Sequence, residues 1–504
     1  MSGAYRNLLK DALAGGGFAY TVEVVTPEAV KEFEPAIASI LELARYVKDE
    51  PRVSAVAVTD RVKSDHDHDP VEIAHRVAEA CGKEPLVHLA GKDRGPGDLD
   101  RSIERMERIG FHNLLLITGD LLKSPPADRP VRYLDSVNAI YQTKRRSGEF
   151  LAAGAVCPFK YREEELLNQY LKLGTKLRAG ADLVISQIGF DMEKARELTS
   201  FLSGRGSSAP VMAGVLFLTA PRGRYIRKVG LPGITITDGL QAKLEEEARV
   251  PDRVHSASCR RLALQIVGLK LMGYAGAHVS GLHTPQRGEI ERLLNLVDQL
   301  DERYSTLDEW WEGWRRSLTL EDGRAVHTAP ENGFSLRGPV FLPPDPTGAK
   351  PAAREYIGFK ALDMLDHLIF RDGSPGAKIL APLLRSADNS SGLGRLLCRV
   401  ERMTKGPLVG CRSCGFCRLP YTAYVCPETC PKGLANGPCG GTRGNLCEFS
   451  DRECVHNLRY RLSKAAGRLN EMEELLIPAA PESGRGSCSW INHFKGRSPA
   501  VVRI

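Results

Sequence analysis

Five hundred and four residues, 42% of them hydrophobic and 26% charged, suffice for roughly two to four domains with sizeable cores. No apolar run approaches the ~18 residues of a membrane-spanning helix, and the polar, glycine-rich start MSGAYRNLLKDALAGGG does not read as a secretory signal, so a cytoplasmic protein is expected. The balance of 69 basic against 62 acidic residues is a mild +7 without long blocks of like charge, which does not favour nucleic acid as a partner.

Through residue 302 the chain alternates short Val/Ile/Leu-rich runs with stretches of helical spacing. The runs are Val22 to Val25, Val53 to Val58, Pro85 to Ala90, Asn113 to Thr118, Leu151 to Val156, Leu183 to Ile188, Val211 to Leu216 and Ala277 to Leu282. Between them lie helical patterns such as PVEIAHRVAEACGK and EEELLNQYLKLGTKLRAG, several closed by a glycine suited to a C-terminal cap. Eight such units predict a (β/α)8 TIM barrel over residues 1–302. An open doubly wound sheet would usually place a Gly-rich loop after its first strand, where this chain has Thr26-Pro27-Glu28.

Residues 303–400 break the alternation and read as a helical connector. Trp310, Trp311 and Trp314 at helical spacing are expected to bury together. A Pro/Gly-rich stretch and helices at 353–370 and 376–386 follow, and Gly392-x-Gly394, with no strand before it, reads as a helix start. Residues 401–465 hold eight of the thirteen cysteines, and 466–504 show no chemical signal.

In a parallel barrel the reacting groups sit at the C-terminal ends of the strands. There the sequence places Glu23, Thr59, Asp60, His88, Thr118-Gly119-Asp120, Cys157, Gln187, Phe190, Asp191 and His283. Glu23, flanked by valines, is a candidate general acid whose pKa burial would raise; the alternative is a structural carboxylate paired to a barrel cation. His88 reads either as a core histidine or as a site residue, and Gly119-Asp120 either as a turn or as a ring-binding pair. The run Asp65-His66-Asp67-His68-Asp69 is expected to be a solvated loop rather than a metal site.

The ordered strings YTVEVVTP, AVTD, PLVHLAGKDR, NLLLITGD, TKLRAGADLVISQIGFD and VMAGVLFLT, over roughly residues 15–300, resemble the methylenetetrahydrofolate reductase family. The resemblance implies a flavin-bearing barrel, with FAD or alternatively FMN, that reduces 5,10-methylenetetrahydrofolate to 5-methyltetrahydrofolate. It implies Glu23 as general acid and Asp120 beside flavin and pterin, with Gln187 and Phe190 on the folate side. Thr59, His88, Thr118, Gly119, Asp120, Tyr133 and Lys176 become flavin contacts. Such chemistry needs a proton toward substrate N10 and a counter-charge for the iminium cation that accepts hydride, roles that suit Glu23 and Asp120.

Two segments depart from the family pattern: DRVKSDHDHDP replaces a Gly-rich loop after strand two, and Cys157-Pro158-Phe159-Lys160 replaces the usual nicotinamide-facing residues. The donor therefore stays open between NAD(P)H and a redox protein, as does the oligomeric state. Rival readings are a pterin-dependent methyltransferase and a non-catalytic iron–sulfur electron-transfer or scaffold subunit.

Cys411-x2-Cys414-x2-Cys417 places three thiols on one tight loop, with Cys426-Pro, Cys430-Pro, Cys439, Cys447 and Cys454 following. Eight thiolates can hold one or two [4Fe–4S] clusters, zinc, or one of each. CRSCGFC and CPKGLANGPCGG resemble the cysteine-rich C-terminal domain associated with methylenetetrahydrofolate reductase, here joined to the barrel.

Overall fold

The computed structural model describes residues 5–125, 131–249, 254–282, 288–331, 333–336, 348–371, 373–449 and 451–504. Eight parallel strands close into a barrel in chain order. They are β1 Ala19–Val24, β2 Val53–Val58, β3 Leu86–Ala90, β4 Asn113–Ile117, β5 Leu151–Val156, β6 Leu183–Ser186, β7 Val211–Leu216 and β8 Gly276–Ser280. Each of the eight runs read from the sequence overlaps one strand. β2, VSAVAV, is buried at all six positions, as a strand covered by helices on one side and barrel interior on the other must be.

Helix α1 (Leu8–Ala14) precedes the barrel, and α2 (Phe33–Asp49), α3 (Pro70–Cys81), α4 (Pro96–Ile109), α5 (Ser136–Arg146), α6 (Glu163–Arg178) and α7 (Met192–Gly204) follow the first six strands in turn. Helices α8 (Ala220–Val229), α9 (Asp238–Ala248) and α10 (Val254–Leu271) lie between β7 and β8, with α11 (Glu289–Arg303) after β8. Local chemistry sets the helix ends: Asp69 accepts from Val71 N–H at 2.8 Å to open α3, Pro70 occupies its first turn, and Gly82 closes it at φ 70°. Strand alternation sends Ala19, Ala55, Ala57, Leu86, Leu115, Leu151, Ala153, Leu183 and Ile185 into an inner core, which Leu9 of α1 joins.

Helix α12 (Leu307–Ser317) carries the three tryptophans inward. Trp310 is fully buried, donates from its indole to Leu264 O at 2.7 Å and lies where any side chain at Gly268 would collide with it. Beyond it, α13 (Ala353–Leu365) runs on into a π-helical turn over Asp366–Phe370, followed by α14 (Pro375–Ser386) and α15 (Gly392–Val409). Gly392 therefore opens a helix, capped by the Ser391 side chain on Gly394 N–H at 3.0 Å.

The cysteine-rich segment runs to α16 (Val455–Ala465), with α17 (Glu471–Glu474) and α18 (Ser489–Phe494) beyond it. Although 466–504 carries no motif, it is tightly built in: Val502–Arg503 pairs antiparallel with Leu475–Leu476, and Ser489 N–H donates to Glu401 at 2.8 Å.

Helix α6 explains how the two halves join. Its polar side is buried: Glu163, Glu164, Glu165, Asn168, Gln169, Lys172, Thr175 and Lys176 are all covered. Tyr460 donates to Glu163 at 2.8 Å, Lys464 pairs with it at 2.6 Å, and Asn168 donates to His456 O at 3.1 Å. Lys172 binds the Gly437 and Pro438 carbonyls at 3.2 and 3.1 Å and pairs with Asp135 at 3.0 Å. A side chain at Gly174 would strike Glu473 at 2.5 Å.

Buried on the same helix, Lys176 donates to the Ala155 carbonyl. Burial, then the Lys172 charge, lowers its pKa from 10.5 to about 7, with Asp135 opposing. The unfolded chain therefore binds this proton more tightly between those values, and the contribution to stability rises with pH across that window. Denaturant unfolding at intervals from neutral to alkaline pH is expected to show wild type gaining on Lys176→Met by at most ~1.4 kcal/mol per pH unit. Parallel curves would show that Lys176 folds charged.

Candidate active site

The strand alternation that fills the inner core with apolar side chains puts polar ones nearer the mouth. After Ala19 come Thr21 and Glu23 on β1, after Leu86 comes His88 on β3, and on β8 Gly276 is followed by His278. These groups touch: Thr21 Oγ1 meets His278 Nδ1 at 2.8 Å, and His278 Nε2 meets Glu23 Oε2 at 3.2 Å. The His88 ring lies against His278 with centroids 5.4 Å apart, and its Nε2 is buried without a hydrogen-bond partner.

Burial is the largest influence on Glu23 and pushes its pKa up. The hydrogen bond and charge of His278, with His88 behind it, outweigh that push and bring the carboxyl from 4.5 down to about 2. This corrects the expectation of a raised pKa: Glu23 is held as a carboxylate, because a buried histidine faces it. Burial and the neighbouring His278 charge hold His88 down at about 3, with Glu23 opposing, so His88 is neutral near pH 7. The sequence singles out His283, which lies outside the described residues, and not His278 inside the strand. Counting inward positions along β8 would have found it.

Gly119 adopts φ 86°, a left-handed turn that carries Asp120 to the rim of the mouth. Tyr133 pins this turn, its hydroxyl donating to Asp120 O at 3.0 Å and accepting from Leu122 N–H at 3.1 Å. The cysteine-rich half also enters here: Lys432 Nζ donates to Gly119 O at 2.7 Å, pairs with Glu448 at 2.5 Å and lies 5.1 Å from the Tyr133 ring centre. Glu448 also accepts from Leu121 N–H at 3.0 Å. Solvent reaches Asp120 through the mouth, but the surrounding protein and then Glu448 raise its pKa, against Lys432, Lys92 and Lys123. No sequence pattern signalled Lys432 or Glu448 as neighbours of Asp120.

The other predicted residues are held by their surroundings. Thr59 Oγ1 accepts from Thr26 N–H at 3.2 Å, and Thr118 Oγ1 accepts from Ser136 N–H at 3.4 Å. Gln187 donates to Pro232 O at 3.2 Å and accepts from Ile188 N–H at 2.9 Å, which uses one of its two amide protons and one of its two acceptor lone pairs. Phe190 is buried, next to a glycine whose carbonyl accepts from Gln265 at 2.7 Å. Asp60 pairs with Arg94 and Asp191 accepts from Tyr161 at 3.1 Å, which leaves both as structural carboxylates. Cys157 is buried against Gly233 O at 3.6 Å.

The Asp/His run is more ordered than a solvated loop. Asp65 is buried and pairs with Lys92 at 3.0 Å, Asp67 binds Ser64 and Thr26, and Asp69 caps α3.

The eight clustered cysteines, all unbridged, fall into two sets of four. Cys411, Cys414, Cys417 and Cys426 line one cavity, so the remote Cys-Pro joins the C-x2-C-x2-C loop. Cys430, Cys439, Cys447 and Cys454 are electrostatic neighbours, the first three each raising the Cys454 thiol after burial has done so. Among the described residues no three His, Cys, Asp or Glu side chains are spaced to hold a metal ion, so neither set closes on one centre. The second set reaches the barrel mouth through Cys439, whose thiol donates to Glu448 at 3.2 Å.

No helix among the described residues is long and apolar enough to cross a membrane. The chain is 24% identical over 291 residues to Arabidopsis thaliana methylenetetrahydrofolate reductase (NADH) 1, covering 51% of this chain and 46% of that protein. It is 23% identical over 189 residues to Saccharomyces cerevisiae methylenetetrahydrofolate reductase 2, covering 35% and 30%. The matched segments thus span less than half of either relative. A Clostridium thermocellum protein described as binding two copies of 5-methyl-5,6,7,8-tetrahydrofolic acid superposes with TM-score 0.45 at 13% identity, over 59% of this chain and 100% of that one. Residues 391–481 match the family described as methylene-tetrahydrofolate reductase C terminal. With residues 8–286, more than half its length, matching the methylenetetrahydrofolate reductase family, the chain belongs to that family.

Proposed function

We propose that this chain reduces 5,10-methylenetetrahydrofolate to 5-methyltetrahydrofolate in the barrel mouth. The observation that carries the reading is the chain Thr21–His278–Glu23, a hydroxyl, an imidazole and a carboxylate in hydrogen-bond sequence inside the barrel. Family membership implies a flavin, and two features suit one: the partnerless buried Nε2 of His88 and the buried amine of Lys176. Thr59, Thr118, Gly119, Tyr133 and Asp120 complete the candidate contacts, with FAD and FMN both compatible. A bound flavin would supply hydride to the folate ring system.

The protein's own task is to place a proton and a charge. His278, held at Nδ1 by Thr21, presents Nε2 to Glu23 and can return a proton to it. A folate ring closing the mouth excludes water, which strengthens the burial effect that already pushes Glu23 upward. Glu23 then acts as the acid toward substrate N10, while Asp120 offers negative charge to the cation that results. Gln187 and Phe190 are the proposed folate contacts. The two cysteine sets, though not spaced to hold a metal ion as they stand, offer four soft thiolates each, the donor type that [4Fe–4S] clusters or zinc take. Such centres would supply redox capacity or a structural staple, and the donor proposed for the flavin is NAD(P)H or a redox protein.

Glu23→Gln is expected to bind flavin and be reduced like wild type while losing at least ~10²-fold in the folate half-reaction. Stopped-flow spectroscopy separates the two steps, and a variant that keeps more than about a tenth of the folate rate refutes Glu23 as the acid. Metal analysis after anaerobic purification is expected to find iron with a broad absorbance near ~400 nm. Stoichiometric zinc without iron would leave the cysteine-rich half as a structural staple.

A further inference from the structure

The helix that backs the first cysteine set turns a very different face to solvent. Inward, α15 places Lys405 on Cys417 Sγ at 3.4 Å and on Glu401 at 2.7 Å. Outward, Arg395, Arg399 and Arg402 stand exposed one turn apart, with no ion-pair or hydrogen-bond partner for their guanidiniums among the described residues. Residues 375–412 contain seven Lys/Arg and two Asp/Glu, so this stretch holds +5 of the chain's +7. One of the two acids, Glu401, is buried and already paired.

Apolar side chains are interleaved with the arginines. Leu396 is 55% exposed and Met403 71%, while Ile379 on the neighbouring α14 reaches 76%. The arginines line an open groove whose far wall is Arg485–Ser487. That wall is joined to the cysteine loop, because Gly486 N–H donates to Ser413 O at 2.8 Å, between Cys411 and Cys414.

From this we infer that the α14–α15 face is a docking surface for an acidic protein, seated beside the first cysteine set. Unpaired guanidiniums match carboxylates bidentately, and apolar side chains among them supply the buried centre that a protein interface needs. A second copy of this chain is a poor occupant, since a two-fold contact would set +5 against +5. A lipid surface is also disfavoured, because the exposed large hydrophobic side chains of α14 and α15 include no aromatic to anchor at a headgroup interface. That the partner carries electrons rests on the redox-protein donor proposed above. That it is acidic rests on the surface alone.

The test is calorimetric titration of the full chain with an oxidised acidic ferredoxin, for wild type and for the triple variant R395E/R399E/R402E. Wild type is expected to bind, and the variant to bind about ten-fold or more weakly. Raising salt from about 50 to about 200 mM is expected to weaken the wild-type complex strongly. Equal binding by the variant, salt-independent binding, or no binding to wild type at low salt overturns the inference. So does wild-type self-association, or binding to anionic phosphatidylglycerol vesicles, that the variant abolishes while ferredoxin binding is unaffected. Folate reduction driven by dithionite is expected to be the same in both proteins; its absence from wild type would refute the proposed reaction and leave the binding result to stand separately.

Discussion

The architecture depends on lysines that cross from one half of the chain to the other and are satisfied there by carbonyls. Lys160 and Lys172 of the barrel reach the backbone of the NGPCGG segment, and Lys432 of the cysteine-rich half reaches the backbone of Gly119. A buried ammonium without such partners is costly, so each contact holds only while both halves are in place. The buried polar side of α6 follows from the same constraint. Such a face would be solvated on an isolated barrel, and here it is the floor on which α16 and α17 lie.

This junction meets the barrel mouth at the turn where chemistry is proposed. Glu448 and Lys432 bracket the Gly119–Asp120 turn, and Cys439 donates to the same Glu448. The cysteine-rich half is therefore a wall of the proposed active site as well as a neighbour of it. Deeper in, the opposing influences on Glu23 make its protonation sensitive to what fills the mouth, because burial and His278 act in opposite directions on one carboxyl.

Much of the barrel was legible in the chain. Short Val/Ile/Leu runs and capped amphipathic helices are local signals, and they located all eight strands to within a few residues. Glu23, His88 and Gly119-Asp120 were legible for a related reason, since they stand at or near strand ends. His278 was not read, because a histidine inside an apolar run is conspicuous only after inward and outward positions are assigned. Lys432 stands in the CPKGLANGPCGG string and Glu448 in no motif, but neither could be read as a neighbour of Asp120, because only the fold brings them to a turn some 300 residues away. The partition of eight cysteines into two fours was also tertiary information, apart from the C-x2-C-x2-C loop. The lowered pKa of Glu23 sides with the cation-paired alternative, although the partner is His278 rather than a lysine or arginine.

On this reading the cysteine-rich half is part of the proposed folate site through Lys432, which bonds the Gly119 carbonyl beside Asp120. A double-mutant cycle on the folate half-reaction of the full chain, with Lys432→Met, Asp120→Asn and the pair, tests it most directly. If Lys432 acts by setting the charge at Asp120, the lysine substitution matters little once the carboxylate is gone, and a coupling of about 1 kcal/mol or more is expected. Effects that add to within about 0.5 kcal/mol would show that the two residues act independently and that the module only leans on the barrel.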